Sequence, residues 1–394
     1  MSHGGPIGTP SGEPSGEHRE SRVGDAGIGA SSVSQAVSPT AGRAPAPKRP
    51  KSVSFGRRVL LGVLFGVVLY AAIVLWRGVD SLVETLKDFN PWWIPVALAL
   101  SFGNYALRFL KWEHYRRLLG IDVPVGTSWL IYLAGFSMGV TPGKMGEVLK
   151  SWLLRRVAGT PIHASAPIVI AERATDLFGF LLLVAVAGIT SHPEYQIYFW
   201  ILLALCAVAI ALVSSGRVAW FVGRVVARTP YFWRLTAKVD GSFRSIRVLL
   251  SPKQIIWPTL LSSVSWGLEC VAFWLLARAI GGDIPFDFAV FAYAFSAVAG
   301  AVLVIFPGGL GPTEGLLGKL LTENWRESLG RTMLDATAHE IARNQAAAAT
   351  LLARLCTLWF GVLVGFVALL IFQRRHGRID ESVDAEDTET NPLA

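Results

Sequence analysis

Long apolar runs separated by short charged segments dominate the chain. Val59 to Trp76 is the first run, and its helical length approaches the ~30 Å of a hydrocarbon core. Pro91 to Leu107 is the second, opened by the interfacial pair Trp92 and Trp93 and closed by Arg108, Lys111, Arg116 and Arg117. Pro167 to Ile189, Phe199 to Val213, Trp257 to Ile280 and Ala346 to Phe372 are four more. Two further runs stop at breaks. Ser128 to Thr141 is too short to span and ends at Pro142-Gly143, and Phe288 to Phe306 ends at Pro307-Gly308-Gly309-Leu310-Gly311. A basic amphipathic helix is expected from about Gly146 to Arg156. The pattern predicts an all-α polytopic membrane protein with about six full transmembrane helices plus two re-entrant Pro-Gly-broken helical hairpins.

Composition agrees with a membrane protein. Hydrophobic residues make up 52% and charged residues 16%, against roughly 25% charged in soluble domains. The formal net charge of +8 is unevenly placed. Residues 1–58 hold 8 basic and 4 acidic side chains, residues 214–256 hold 8 and 1, and residues 373–394 hold 3 and 6. The excess therefore sits in a tail, a linker and a second tail, which argues against a nucleic-acid binder. Residues 1–54, rich in Gly, Ser, Pro and Ala, read as a disordered cytoplasmic tail. Residues 55–372 form the membrane domain, 214–256 its basic cytoplasmic linker, and 373–394 a disordered acidic tail. The bias of Lys and Arg places both termini in the cytoplasm, and a bacterial inner membrane is the expected location. That orientation holds only if the two broken segments do not cross.

The broken segments resemble each other. Ala134-Gly135 precedes Pro142-Gly143-Lys144-Met145-Gly146 by six residues, and Ala299-Gly300 precedes Pro307 by the same interval. An acid follows each, Glu147 and Glu314. The halves 91–189 and 257–372 read as an inverted repeat, the arrangement of secondary transporters with a site between the copies. A helix beginning after each Pro-Gly turn directs unpaired N–H groups at that site and favours an anionic group.

Ionisable residues inside the runs are the candidate chemistry, since each costs roughly 2.5 to 3.5 kcal/mol at a span's centre. Glu172, Arg173 and Asp176 share one face of the third span, either as a self-neutralising cluster or as a phosphate contact with a titrating carboxylate. Arg108 and Lys111 read as snorkelling anchors or headgroup contacts. Lys144, Lys150, Arg155 and Arg156 surround the first break. Arg354 lies within the last span, and Glu269, alone in the fifth, has Arg354 or Arg173 as a candidate partner. No His, Cys or carboxylate spacing suggests a metal or cofactor. Gly135-x-Ser137-x-Gly139 matches a hydrolase motif but lies in an apolar segment, away from the strand–turn–helix context that motif needs.

Taken together, Pro142-Gly143 through Gly146-Glu147, Glu172-Arg173-x-x-Asp176, and Pro307-Gly308-Gly309-Leu310-Gly311 with Glu314 resemble the lysylphosphatidylglycerol synthase transmembrane (flippase-like) family, as does Arg108-x-x-Lys111-Trp112. The resemblance spans about residues 55–372. It implies movement of a lipid between leaflets, with an anionic phospholipid or lipid-linked substrate held by these residues and by Gly309, Gly311 and Arg354. The family's aminoacylating domain is not expected in the 22 residues after Phe372, so no enzyme activity is expected. A non-transporting scaffold or regulator of envelope lipid or glycan synthesis is the alternative, with an envelope-synthesis partner or a second copy as its companion.

Overall fold

A computed structural model describes residues 83–140, 146–188, 236–302 and 309–377, with positions 196, 197, 200, 201, 203, 204 and 208 between them. The expected spans Val59–Trp76 and Phe199–Val213 lie outside the described residues in whole or in large part. So do both tails, the linker up to residue 235, and the breaks Pro142-Gly143-Lys144 and Pro307-Gly308.

Every regular element among the described residues is helical. In order they are α1 (Trp93–Leu118), α2 (Val125–Ala134), α3 (Gly146–Ala158), α4 (Ile162–Gly188), α5 (Thr236–Leu249), α6 (Pro252–Ala279), α7 (Phe286–Val302), α8 (Pro312–Leu329), α9 (Asp335–Arg354) and α10 (Phe360–His376). A 3-10 turn, Gly135–Met138, extends α2, and a π-helical turn, Leu355–Trp359, joins α9 to α10. Among the described residues, three helical stretches are long and apolar enough to cross a membrane: Trp93–Leu118, Lys253–Ala279 and the 42-residue run Asp335–His376. Residues Val125–Met138 and Phe286–Ala301 form shorter apolar helices. The 27-residue α4 has the length to cross as well, but it carries Glu172, Arg173 and Asp176.

Several helices also bury a polar stripe while exposing apolar side chains, the reverse of a soluble protein's surface. On α1, Ser101, Asn104, Arg108 and Lys111 recur at helical spacing and are buried, whereas Phe102 and Leu110 are exposed. Val186, Val264, Leu363 and Val367 are likewise exposed on other helices. Polar groups turn inward and apolar groups outward when the surrounding solvent is hydrocarbon.

Two apolar clusters enclose the polar interior. One gathers Phe180, Phe273, Phe291 and Trp325 from α4, α6, α7 and α8. The other gathers Phe109, Trp112, Ile131, Leu153 and Phe372 from α1, α2, α3 and α10. On α4 the ionisable residues fall between Ala171 of the second cluster and Phe180 of the first. Helices α4 and α6 approach closely at this level. A Cβ on Gly179 would lie 2.8 Å from Ser262 Cβ and 3.0 Å from the Ser263 nitrogen, so only glycine admits that crossing.

Candidate functional site

Asp176 is the hub of the buried polar layer. Its Oδ2 accepts from Arg108 Nη2 at 3.0 Å and pairs with Arg173 Nη2 at 3.0 Å. Its Oδ1 accepts from Lys111 Nζ at 2.5 Å and from Ser262 Oγ at 3.0 Å. Lys111 also donates to Ser262 Oγ at 2.7 Å and to the Glu172 carbonyl at 3.4 Å. All three ammonium protons therefore have acceptors, which a fully buried lysine requires. The snorkelling reading of Arg108 and Lys111 is corrected here, because both turn inward, Lys111 with no exposed surface. The Asp176 carboxylate lies within their reach on α4 and compensates for their burial.

Glu172, one helical turn before Asp176, is held separately. Its Oε2 accepts from Lys150 Nζ at 2.5 Å, and its Oε1 has no hydrogen-bond partner among the described residues. Lys150 comes from α3 and lies 4.8 Å from the Trp112 ring centroid and 5.5 Å from that of Tyr132. The Arg108 guanidinium lies 4.7 Å from the Trp266 ring centroid and 5.8 Å from that of Phe136. Aromatic faces thus line the cations on sides where no carboxylate does.

Among the described residues, the nearly inaccessible cations of this cluster outnumber its carboxylates. Arg108, Lys111, Lys150 and Arg173 face two carboxylates, Glu172 and Asp176. Three of the four cations are nearly inaccessible, while Arg173 has a third of its side chain exposed. An excess of buried positive charge next to an accessible arginine is the arrangement that an anion completes.

A second group forms around the start of α8. Gly311 takes φ +94°, a left-handed conformation suited to glycine, and its N–H donates to Glu314 Oε2 at 2.6 Å. Glu314 Oε1 accepts from Arg354 Nε on α9. Gly309 is also left-handed at φ +71° and packs within 3.3 Å of the Gly300 backbone, measured from where its Cβ would stand. Glu269 takes neither arginine anticipated from the sequence. It accepts from Tyr293 Oη at 2.8 Å, because Arg354 pairs with Glu314 and Arg173 with Asp176.

The structure therefore brings Arg108, Lys111, Glu172, Arg173 and Asp176 into one cluster, and Gly311, Glu314 and Arg354 into another. Gly146 and Glu147 open α3. Pro142, Gly143, Lys144, Pro307 and Gly308 lie outside the described residues. Ser137 of the hydrolase-like motif spends its hydroxyl on the Ala134 carbonyl at 2.7 Å. Sequence reasoning missed Ser262 and Tyr293 as partners and left Lys150 among the flanking charges. The run Ser262-Ser263-x-Ser265 inside an apolar helix was the available signal for the first. Leu153 and Leu154, which share a helical face with Lys150 by spacing alone, were the signal for the last.

Comparison with known proteins fits this architecture. The family described as "Lysylphosphatidylglycerol synthase TM region" matches residues 59–365. A UPF0104 membrane protein of Methanothermobacter thermautotrophicus is 24% identical over 334 residues, covering 79% of this chain and 94% of its own length. A UPF0104 membrane protein of Methanocaldococcus jannaschii is 22% identical over 336 residues, covering 80% of this chain and 95% of its own.

Proposed function

Because the chain belongs to the lysylphosphatidylglycerol synthase TM region family, we propose that it moves a lipid with an anionic headgroup, a phospholipid or a lipid-linked substrate, between membrane leaflets. The observation that carries this reading is the excess, among the described residues, of three buried cations, Arg108, Lys111 and Lys150, over two carboxylates, Glu172 and Asp176, between two apolar clusters. Arg173, the most exposed of the four cations, meets the headgroup first. Arg108, Lys111 and Lys150 supply the field behind it.

The order of elements supports two related halves. A long helix, a short apolar helix, an amphipathic helix and a second long helix occur as α1–α4 and again as α6–α9. In this reading the halves are inverted copies, the Pro-Gly segments are re-entrant from opposite faces, and both termini are cytoplasmic in the cell membrane. Glu147, Glu172, Asp176, Glu269 and Glu314 balance charge or carry protons during the cycle. The chain acts as a transporter, without catalysis.

The test is leaflet translocation of headgroup-labelled phosphatidylglycerol in proteoliposomes. Wild type is expected to exceed empty vesicles, and Arg173→Ala to slow translocation about 10- to 100-fold, the equivalent of a charged hydrogen bond. Absence of translocation by the wild type, together with co-purification of a lipid- or glycan-synthesis enzyme, would replace transport with the scaffold reading.

A further inference from the structure

A basic cavity outside the buried cluster has no role in that reading. It measures about 600 Å³ and is lined by Leu118 at the end of α1, Arg244, Arg247 and Val248 of α5, and Ser251 and Gln254 at the start of α6. The local sequence explains its shape. On α5, Ile246, Leu249 and Leu250 are buried at helical spacing, which turns Arg244, Arg247 and Val248 outward. The helix is pinned from the other side, where Ser242 Oγ donates to the His163 carbonyl at 2.8 Å. Gln254 is held too, its Oε1 lying 2.7 Å from His114 Nε2. The α5 helix and Gln254 are thus anchored beside the cavity, and no carboxylate among the described residues pairs with either arginine.

Its surroundings identify the occupant. Ile256, Trp257, Leu260 and Val264 follow on α6, all exposed and at helical spacing, beginning two residues beyond Gln254. They open a helix apolar enough to cross the bilayer, so this stripe faces lipid chains, with Trp257 at the level where aromatic residues anchor to an interface. Two guanidinium groups with no carboxylate partner among the described residues therefore stand at the edge of the hydrocarbon, next to an apolar track of acyl-chain length.

We infer that the α5–α6 elbow is a second lipid site, in which Arg244 and Arg247 bind the phosphate of an anionic phospholipid whose chains lie along Ile256, Trp257, Leu260 and Val264. The site shares no residue with the buried cluster and does not require that the protein transport lipid. Arginine suits it because its planar fork grips phosphate oxygens in pairs.

The test is native mass spectrometry of the purified full chain with added phosphatidylglycerol, phosphatidylcholine or inorganic phosphate. Wild type is expected to retain phosphatidylglycerol in preference to phosphatidylcholine. The double variant Arg244→Gln/Arg247→Gln should lose roughly 10- to 30-fold in apparent affinity for it. Lys319→Gln/Arg331→Gln, which removes the same charge from exposed positions on and just after α8, should keep wild-type retention. Val248→Trp, which fills the mouth and leaves both arginines, should lose it. Equal retention by the double variant and the wild type overturns the proposal. So does an equal loss in the Lys319/Arg331 control, which would reduce the effect to bulk charge, and so does retention of inorganic phosphate in place of lipid, which would make the cavity a small-anion site. Lysine 111 variants that stop translocation while leaving this retention intact separate the two sites.

Discussion

Replacing Lys111 with methionine tests the energetic logic of the buried cluster directly. The substitution keeps the length of the side chain and removes a charge that has no exposed surface. Asp176 loses its 2.5 Å partner but keeps Arg108 and Arg173, each at 3.0 Å. Breaking a buried pair costs about 3 to 5 kcal/mol when the remaining charge is stranded. Here two cations still serve the carboxylate, so Lys111→Met should cost roughly 2 to 3 kcal/mol. Asp176→Asn is the harsher change, because it leaves three cations around a neutral amide, and about 5 kcal/mol is expected. The double variant removes one charge of each sign and should be less damaged than the sum of the two by roughly 1 to 3 kcal/mol. Thermal or denaturant unfolding in detergent, run as a double-mutant cycle, measures that coupling. Additivity within about 0.5 kcal/mol would refute the reasoning, since it would mean that the two groups do not share an interaction.

Further outcomes follow from other contacts. Lys150→Met should destabilise by about 3 kcal/mol because it strands Glu172, and adding Glu172→Gln should recover much of the loss in the same assay. Glu314→Gln keeps an acceptor for the Gly311 N–H but removes the charge beside Arg354; Glu314→Ala should melt lower still, by about 1 kcal/mol for the lost cap. Gly179→Ala pushes a methyl against Ser262 and the Ser263 backbone and should cost about 1 to 3 kcal/mol, read as a lower melting temperature with the exposed α1 variant Leu110→Met as a neutral control.

Much of this was legible in the sequence, for identifiable reasons. The spans α1, α6 and α9–α10 announce themselves because hydrocarbon demands apolar residues all along an outward face. The Arg173–Asp176 pair follows from spacing alone, three residues apart on one helix. The inward turn of Arg108 and Lys111 was harder to see, because a basic residue near a span's end satisfies the snorkelling rule and the ion-pair rule equally well. The tie is broken by Asn104 and Ser101, which extend the same stripe one and two turns earlier and are buried with it. A snorkelling pair needs no such stripe. The partners of Glu269 and Glu172 were not legible. Tyr293 and Lys150 reach them from other helices, across sequence separations of 24 and 22 residues, and nothing in local periodicity encodes which helices touch.

The π-helical turn Leu355–Trp359 has a consequence for the long last helix. One residue more than a regular turn advances the helix by about 100°, so Arg354 before it and Gly365 after it need not share the phase that continuous α-helix would give them. Gly365 lies so close to the α2 extension that a Cβ would meet the Ser137 nitrogen, and Tyr105 Oη donates to the Thr357 carbonyl inside the turn at 2.6 Å. The turn acts as a phase adjuster between two binding faces cut from one rod. Deleting a single residue there would let the helix run regular with Gly365, Ala368 and Phe372 still against α2, whereas drawing the same number of residues into regular α-helix would swing all three away together by about 100°. Residue count and turn type are therefore set together at this point, and a one-residue deletion within Leu355–Trp359 should lower the melting temperature less than a one-residue deletion in the regular helix just before Gly365.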